Sequence, residues 1–169
     1  MMLQSGRQNL IEAGAAFTHE ESSYLSKRIQ AEMLKSKKDF VLDGVNDGDF
    51  EKLKVKVAAL KQNGNKLRAD YVSLEYKLSR QLAKERAERT GRKVASKFIS
   101  DMNRDVSILI PKLIESGIID ELYLWDTNIN GLPRLVLKQI NGDLTIYDMK
   151  LYSDFLRKAK RKIGKNTKF

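Results

Sequence analysis

Residues 39–74 read DFVLDGVNDGDFEKLKVKVAALKQNGNKLRADYVSL, and the reading of this stretch decides the fold. Its first part, Asp39-Phe40-Val41-Leu42-Asp43, is short, apolar in the middle and stopped by Gly44, the form of a parallel strand buried on both faces. Asp43 would then stand at the carboxyl end of that strand. Phe50, Leu53, Val57 and Leu60 follow at helical spacing, Asn63-Gly64 punctuates, and Leu67 to Leu74 reads as a second strand. Strand, helix and strand together make a βαβ unit, whose two strands are expected to run parallel.

The rest of the chain extends this alternation. Upstream, Thr18 with Glu21 has capping-box spacing, and Leu25, Ile29 and Met33 mark an amphipathic helix to Lys35. Downstream, Glu75 to Thr90 is helical and strongly basic, with Arg80, Lys84, Arg86 and Arg89 leading to Gly91-Arg92-Lys93. Met102, Val106, Leu109, Ile110 and Leu113 line a helix from Ser96 to Glu115, expected to kink at Pro111, where a backbone donor is missing. Leu122 to Trp125 is an apolar strand with Asp126 at its end, the same placement as Asp43. Arg134 to Ile140, Asn141-Gly142 and Leu144 to Tyr147 read as a hairpin, because Asn-Gly suits a type I′ turn. A closing helix from Met149 to Ile163 puts Leu151, Phe155, Leu156 and Ala159 on one face and its cations on the other. The order predicts an α/β protein with a three-layer, mainly parallel sheet, a C-terminal β-hairpin and a basic C-terminal helix. Ligands of such sheets bind outside the carboxyl ends of the strands, which points to Asp43 and Asp126.

Composition sets the outer limits. With 169 residues, 41% hydrophobic and 32% charged, the chain suits one folded domain rather than a disordered one. No apolar run is long enough to span a membrane, and the start MMLQSGRQNL lacks the apolar core of a secretory signal. The absence of cysteine excludes disulfides, thiolate nucleophiles and cysteine-bound zinc. A cytoplasmic protein is expected, without a membrane role. The formal charge is +10, of which residues 150–169 carry +7 and residues 1–149 only +3. Two regions are therefore distinguished, a body over 1–149 and a basic amphipathic helix and tail over 150–169.

Few residues carry a chemical signature alone. Asp43 could hold a magnesium-bound water beside a phosphate, although Asp-Gly is also a common turn pair. Arg86, Arg89 and Arg92 could clamp a phosphoryl group through bidentate guanidinium contacts, or form a solvated helix face together with Glu85 and Glu88. His19, the only histidine, suits a surface or capping role, and Trp125 is expected in the core rather than as a stacking platform. There is no G-x-x-x-x-G-K-[ST] loop, no G-x-S-x-G and no H-E-x-x-H.

Four segments taken in order carry a resemblance: Thr18-His19-Glu20-Glu21-Ser22-Ser23, Val41-Leu42-Asp43-Gly44, Asn63-Gly64, and Arg86-Ala87-Glu88-Arg89-Thr90-Gly91-Arg92-Lys93-Val94. They resemble the zeta-toxin family of P-loop kinases, with Leu122 to Asp126 similar to the family's last core strand. The resemblance spans Phe17 to Asp126. It implies a P-loop kinase sheet, ATP and magnesium as cofactors, and phosphorylation of a hydroxyl on UDP-N-acetylglucosamine or another nucleotide or nucleotide sugar. It implies a catalytic and magnesium-side role for Asp43, catalytic lid roles for Arg86 and Arg92, and ATP contacts for Arg89 and Asp126. Glu20, Glu21 and Ser22 would lie on the substrate side. The family's ATP-binding loop and its base would precede the region where this chain begins, so that the sheet is expected to be incomplete at its N-terminus and the polypeptide alone catalytically poor. A missing N-terminal segment or an antitoxin-like protein is an expected partner. The alternative is a non-catalytic binding or assembly protein whose residues 150–169 contact nucleic acid or an acidic partner.

Overall fold

The computed structural model describes residues 21–43, 49–91, 93–129 and 132–160. The chain forms two compact units, Met1–Asp43 and Gly44–Phe169. In the first, residues 21–35 form helix α1, closed by a turn in which the Ser36 hydroxyl donates to the Met33 carbonyl. The helix forms where expected, but Leu25 and Ile29, the centre of its apolar stripe, are exposed. Thr18 and His19, assigned to its cap, lie outside the described residues.

Residues 38–43 carry no regular secondary structure, and this corrects the strand expected over Asp39–Asp43. Val41 is 91% exposed, the opposite of a strand centre buried on both faces. The physical reason is that a parallel strand makes no hydrogen bond to its own neighbours in sequence. An apolar run of five becomes a strand only where a remote partner pairs with it.

Among its described residues the second unit holds a four-stranded sheet and four α-helices. Helix α2 (Phe50–Gln62) begins at Asp49, whose carboxylate accepts from the Glu51 and Lys52 amides. Those bonds, the Lys52 amide foremost, hold the Asp49 carboxyl below its ordinary range. Strand β1 (Arg68–Ser73) is followed by α3 (Tyr76–Thr90) and α4 (Ser96–Ser116), then β2 (Glu121–Asp126), β3 (Arg134–Ile140), β4 (Asp143–Ile146) and α5 (Met149–Arg157). The sheet order is β1-β2-β3-β4. β1 and β2 are parallel, with α3 and α4 as the crossover, whereas β2–β3 and β3–β4 are antiparallel. Among the described residues the sheet is therefore mixed, which corrects the mainly parallel sheet: residues 39–43 form no strand, and short connections force the later strands to reverse.

Alternation along the strands sets the two faces. Leu122 and Leu124 on β2 and Leu137 on β3 are fully buried and meet Leu109, Ile110 and Leu113 of α4, Val57 of α2 and Phe155 of α5 in one cluster. Burying each large aliphatic side chain contributes about 2 kcal/mol. α4 runs through Pro111 and stops at Gly117, whose φ of 59° is left-handed and whose amide bonds Leu113 O at 3.1 Å. The other face carries Arg68, Asp70 and Val72 of β1 beside Tyr123 and Trp125 of β2. Trp125 thus lies outside the core: its ring stacks on Tyr123 and its Nε1 donates to Asp70 at 2.9 Å. α5 ends at Arg157 and gives way to a 3₁₀ turn, Lys158–Lys160, short of the helix to Ile163 that the pattern suggested. Residues 161–169 lie outside the described residues. Among the described residues no helix is long and apolar enough to cross a membrane.

Candidate functional site

The parallel pair ends at Ser73 and Asp126, which stand opposite each other in register. Ser73 is 6% exposed and Asp126 3%, so both polar side chains need partners inside the protein. Asp126 finds them in Arg134, whose Nη2 donates at 3.1 Å, and in Asn128, which donates from its main-chain amide at 3.3 Å and from its side-chain amide. The main-chain bond makes Asp126-Thr127-Asn128 an Asx-type turn, which explains why the chain leaves the strand there. Asn128 Oδ1 then accepts from the Glu75 amide at 2.6 Å, just ahead of α3. The end of β2 is thereby tied to the start of α3.

Two further groups reach the same place. Leu74 O accepts from Asn103 Nδ2 of α4 at 3.0 Å and from Lys158 Nζ at 2.9 Å, and Lys158 also donates to Ser73 Oγ at 2.7 Å. An open groove of about 570 Å³ results, walled by Ser73, Glu75, Asp126, Asn128, Asp154 and Lys158, with Lys160 at its edge. It lies outside the carboxyl ends of the parallel strands, where α/β sheets bind ligands.

The sequence-derived candidates are distributed as follows. Asp126 belongs to this groove, with its carboxylate held by Arg134 and Asn128. Arg86 and Arg89 project from exposed positions on α3, about 15 and about 20 Å along the axis from Tyr76 at 1.5 Å per residue. They are not brought beside Asp126. The acids of α3 face other partners: Glu85 accepts from Gln81, and Glu88 pairs with Lys84 at 3.9 Å. α3 buries none of its residues and ends at Gly91, φ 74°, immediately before Arg92. Arg92 and Glu20 lie outside the described residues. Glu21 and Ser22 are exposed in the first turns of α1, and Asp43 is exposed at the end of the first unit. Among the described residues no three acids or histidines form a metal cluster. Asp43 offers one exposed carboxylate, and magnesium in general is held by one or two carboxylates with waters and phosphates completing its shell.

Ser73, Asn103, Asn128, Arg134 and Lys158 were not picked out in the sequence. For Asn128 the signal was available, since Asp-x-Asn after a strand reads as an Asx turn. For Lys158 there was none, because its contact with Ser73 spans 85 positions.

Comparison with known proteins bears on these residues together. No curated protein and no solved structure matches the chain. The family model described as zeta toxin matches residues 7–130, well over half the chain, from before α1 through the end of β2 and the Asx turn. The chain therefore belongs to the zeta-toxin family.

Proposed function

We propose that this chain is a phosphotransferase region that moves the γ-phosphoryl group of ATP to a hydroxyl of a nucleotide or nucleotide sugar, UDP-N-acetylglucosamine being the first acceptor to test. Membership of the family supports the kinase-like class. The observation that carries the reading for this chain is α3, an exposed helix whose Arg86 and Arg89 are left clear of its acids and which leads directly into Gly91 and Arg92. Phosphoryl transfer is catalysed almost wholly by positioning and by charge stabilisation, so exposed arginines on a basic helix suit it.

In this reading Arg86 and Arg92 offset the charge on the transferred group and Arg89 contacts the nucleotide phosphates. Asp43 orients a hydrated magnesium near the acceptor, which when bound would neutralise phosphate charge. Glu20, Glu21 and Ser22 hold the acceptor at the start of α1. Asp126, with its carboxylate engaged by Arg134 and Asn128, shapes the nucleotide side rather than accepting from it. The same reading expects a third layer on the Tyr123 and Trp125 face of the sheet, and an antitoxin-like protein as partner.

The test is ATP consumption and acceptor phosphorylation with UDP-N-acetylglucosamine and with nucleotides, in the presence of magnesium, by the chain fused to a segment carrying the G-x-x-x-x-G-K-[ST] loop that it lacks. Arg86→Ala and Arg92→Ala are each expected to lower turnover by about a thousandfold or more, the worth of an arginine that stabilises the transferred phosphoryl group, while circular dichroism stays unchanged. Turnover absent with every acceptor, or unaffected by both substitutions, overturns the reading.

A further inference from the structure

The sheet order places β1 and β4 at its edges, and the two edges are built differently. β4 is only four residues long. β1 has six, its register with β2 is unbroken from Arg68 to Ser73, and it carries neither the proline nor the bulge that blunts many edge strands. Its main-chain groups divide by parity. Leu67 O accepts from the Glu121 amide and Ser73 O from the Thr127 amide, so the odd-numbered residues turn their amides and carbonyls toward β2. Those of Arg68, Asp70 and Val72 therefore point away from the sheet, and among the described residues no hydrogen bond reaches them. Such a row of main-chain donors and acceptors is a template for another strand. The side chains say which strand fits. On the core side Leu67, Ala69 and Tyr71 are partly buried and apolar. On the other side Arg68 and Asp70 are 55% and 40% exposed and pair with each other at 2.7 Å. The Tyr123 ring under the guanidinium and the Trp125 Nε1 donated to Asp70 fix both charges in place. Being of opposite sign, they reject strands that set like charge against like rather than every strand.

We propose that β1 pairs antiparallel with β1 of a second copy of this chain, about a two-fold axis at Ala69, so that two four-stranded sheets become one. Self-complementarity selects both partner and register. With Ala69 opposite Ala69, Arg68 of each copy stands opposite Asp70 of the other, and these are the residues whose outward main-chain groups can exchange hydrogen bonds. On the core side Leu67 then meets Tyr71, apolar against apolar. An axis at Arg68 or at Asp70 would put like charges directly opposite, and one at Tyr71 would leave both charges facing apolar residues, Leu74 and Val72. The pair within each strand is kept, and each charge gains a second counterion. The charges set the register, while main-chain bonds and apolar contacts supply the affinity.

The experiment is sedimentation velocity of the full chain over a concentration series, expected to show a dimer that dissociates on dilution. Arg68→Glu and Asp70→Lys should each weaken association by about tenfold or more, because each turns two symmetry-related attractive pairs into repulsive ones. Mixed in equal amounts, the two variants should associate again, since one copy then presents only acids along this edge and the other only cations. The chain has no cysteine, so Ala69→Cys reports the register directly. Cα atoms of a non-hydrogen-bonded antiparallel pair lie about 4.5 Å apart, within disulfide reach, and oxidised glutathione should crosslink Ala69→Cys but not Tyr71→Cys. Should a charge variant fail to fold, that crosslink decides alone. A chain that stays monomeric, leaving the edge to some other polypeptide, overturns the proposal. So do folded charge variants that associate as the wild type does, or crosslinking through Tyr71→Cys instead of Ala69→Cys. None of these readouts needs turnover, so failure of the phosphotransferase reading leaves this inference standing.

Discussion

Asp120 stands just before β2 and accepts from Lys61 Nζ at 2.9 Å and from the Leu67 amide at 2.8 Å, while its carbonyl accepts from the Asn141 amide at 2.9 Å. One residue thus joins the end of α2, the entry to β1 and the turn between β3 and β4. Lys61 first, and the Leu67 amide second, hold its carboxyl below the ordinary aspartate value of 3.8. A depressed carboxyl pKa adds stability above the unfolded-state value, and that stability is lost as pH falls through the folded one. Asp120→Ala is expected to reduce urea stability at neutral pH by about 1 kcal/mol, allowing for partial exposure of the pair, and the deficit should vanish in acid. Tyr71 shows the opposite sign. Burial against the core raises its phenol to about 12 from 10.0. Its contribution is therefore complete below pH 10 and lost as pH rises toward 12, so wild type should lose stability to urea across that window more steeply than Tyr71→Phe does. At this scale the sequence was legible where chemistry and position coincided. Asp126 was recognisable as a strand-end acid because an apolar run stops at it. Asp120 and Lys158 were not, since each acquires its partners only after distant segments have packed.

Elements were legible in proportion to how local their cause is. The turn Asn141-Gly142 has φ of 51° and 92°, both left-handed, as a type I′ turn needs, and β3 and β4 pair antiparallel on either side of it. No atom crowds a Cβ built at Gly142, so Gly142→Ala isolates the backbone effect. It should lower stability by about 1 kcal/mol through the unfavourable φ alone, seen as a lower urea midpoint with an unchanged slope. Leu113→Ala, at a fully buried position of α4, should cost about 2–5 kcal/mol and mark the upper end of the scale. The Asp39–Asp43 run fails by the same logic. It has the apolar centre and the glycine stop of a strand, but periodicity describes only a segment's own chemistry. Whether an extended segment becomes a strand depends on an edge being offered to it, and that is absent from its five residues. Helix α1, whose hydrogen bonds are internal, forms from its pattern although Leu25 and Ile29 remain exposed.

Across the whole molecule the charge is concentrated toward the C-terminus, yet the cations there are of two kinds. Lys158 is tied into the sheet at Ser73 and Leu74. Arg161, Lys162, Lys165 and Lys168 follow it in sequence and account for +4 of the tail's +7. A truncation beginning at Lys158 would remove both sets at once, and a loss of nucleic-acid retention could then come from a disturbed groove. Ending the chain at Lys160 separates them. If the tail contacts phosphate backbones, that shorter chain should keep its melting temperature but lose retention on single-stranded and double-stranded nucleic acid at low salt. The slope of log affinity against log salt should flatten by as much as about 3.6 on duplex, since each of the four phosphate contacts contributes about 0.9. Retention that survives the truncation, with the same salt slope, would move any nucleic-acid contact to the basic face of α3. Arg86→Ala and Arg89→Ala would then be the substitutions to abolish it, and the arginines assigned above to phosphoryl transfer would have a competing role.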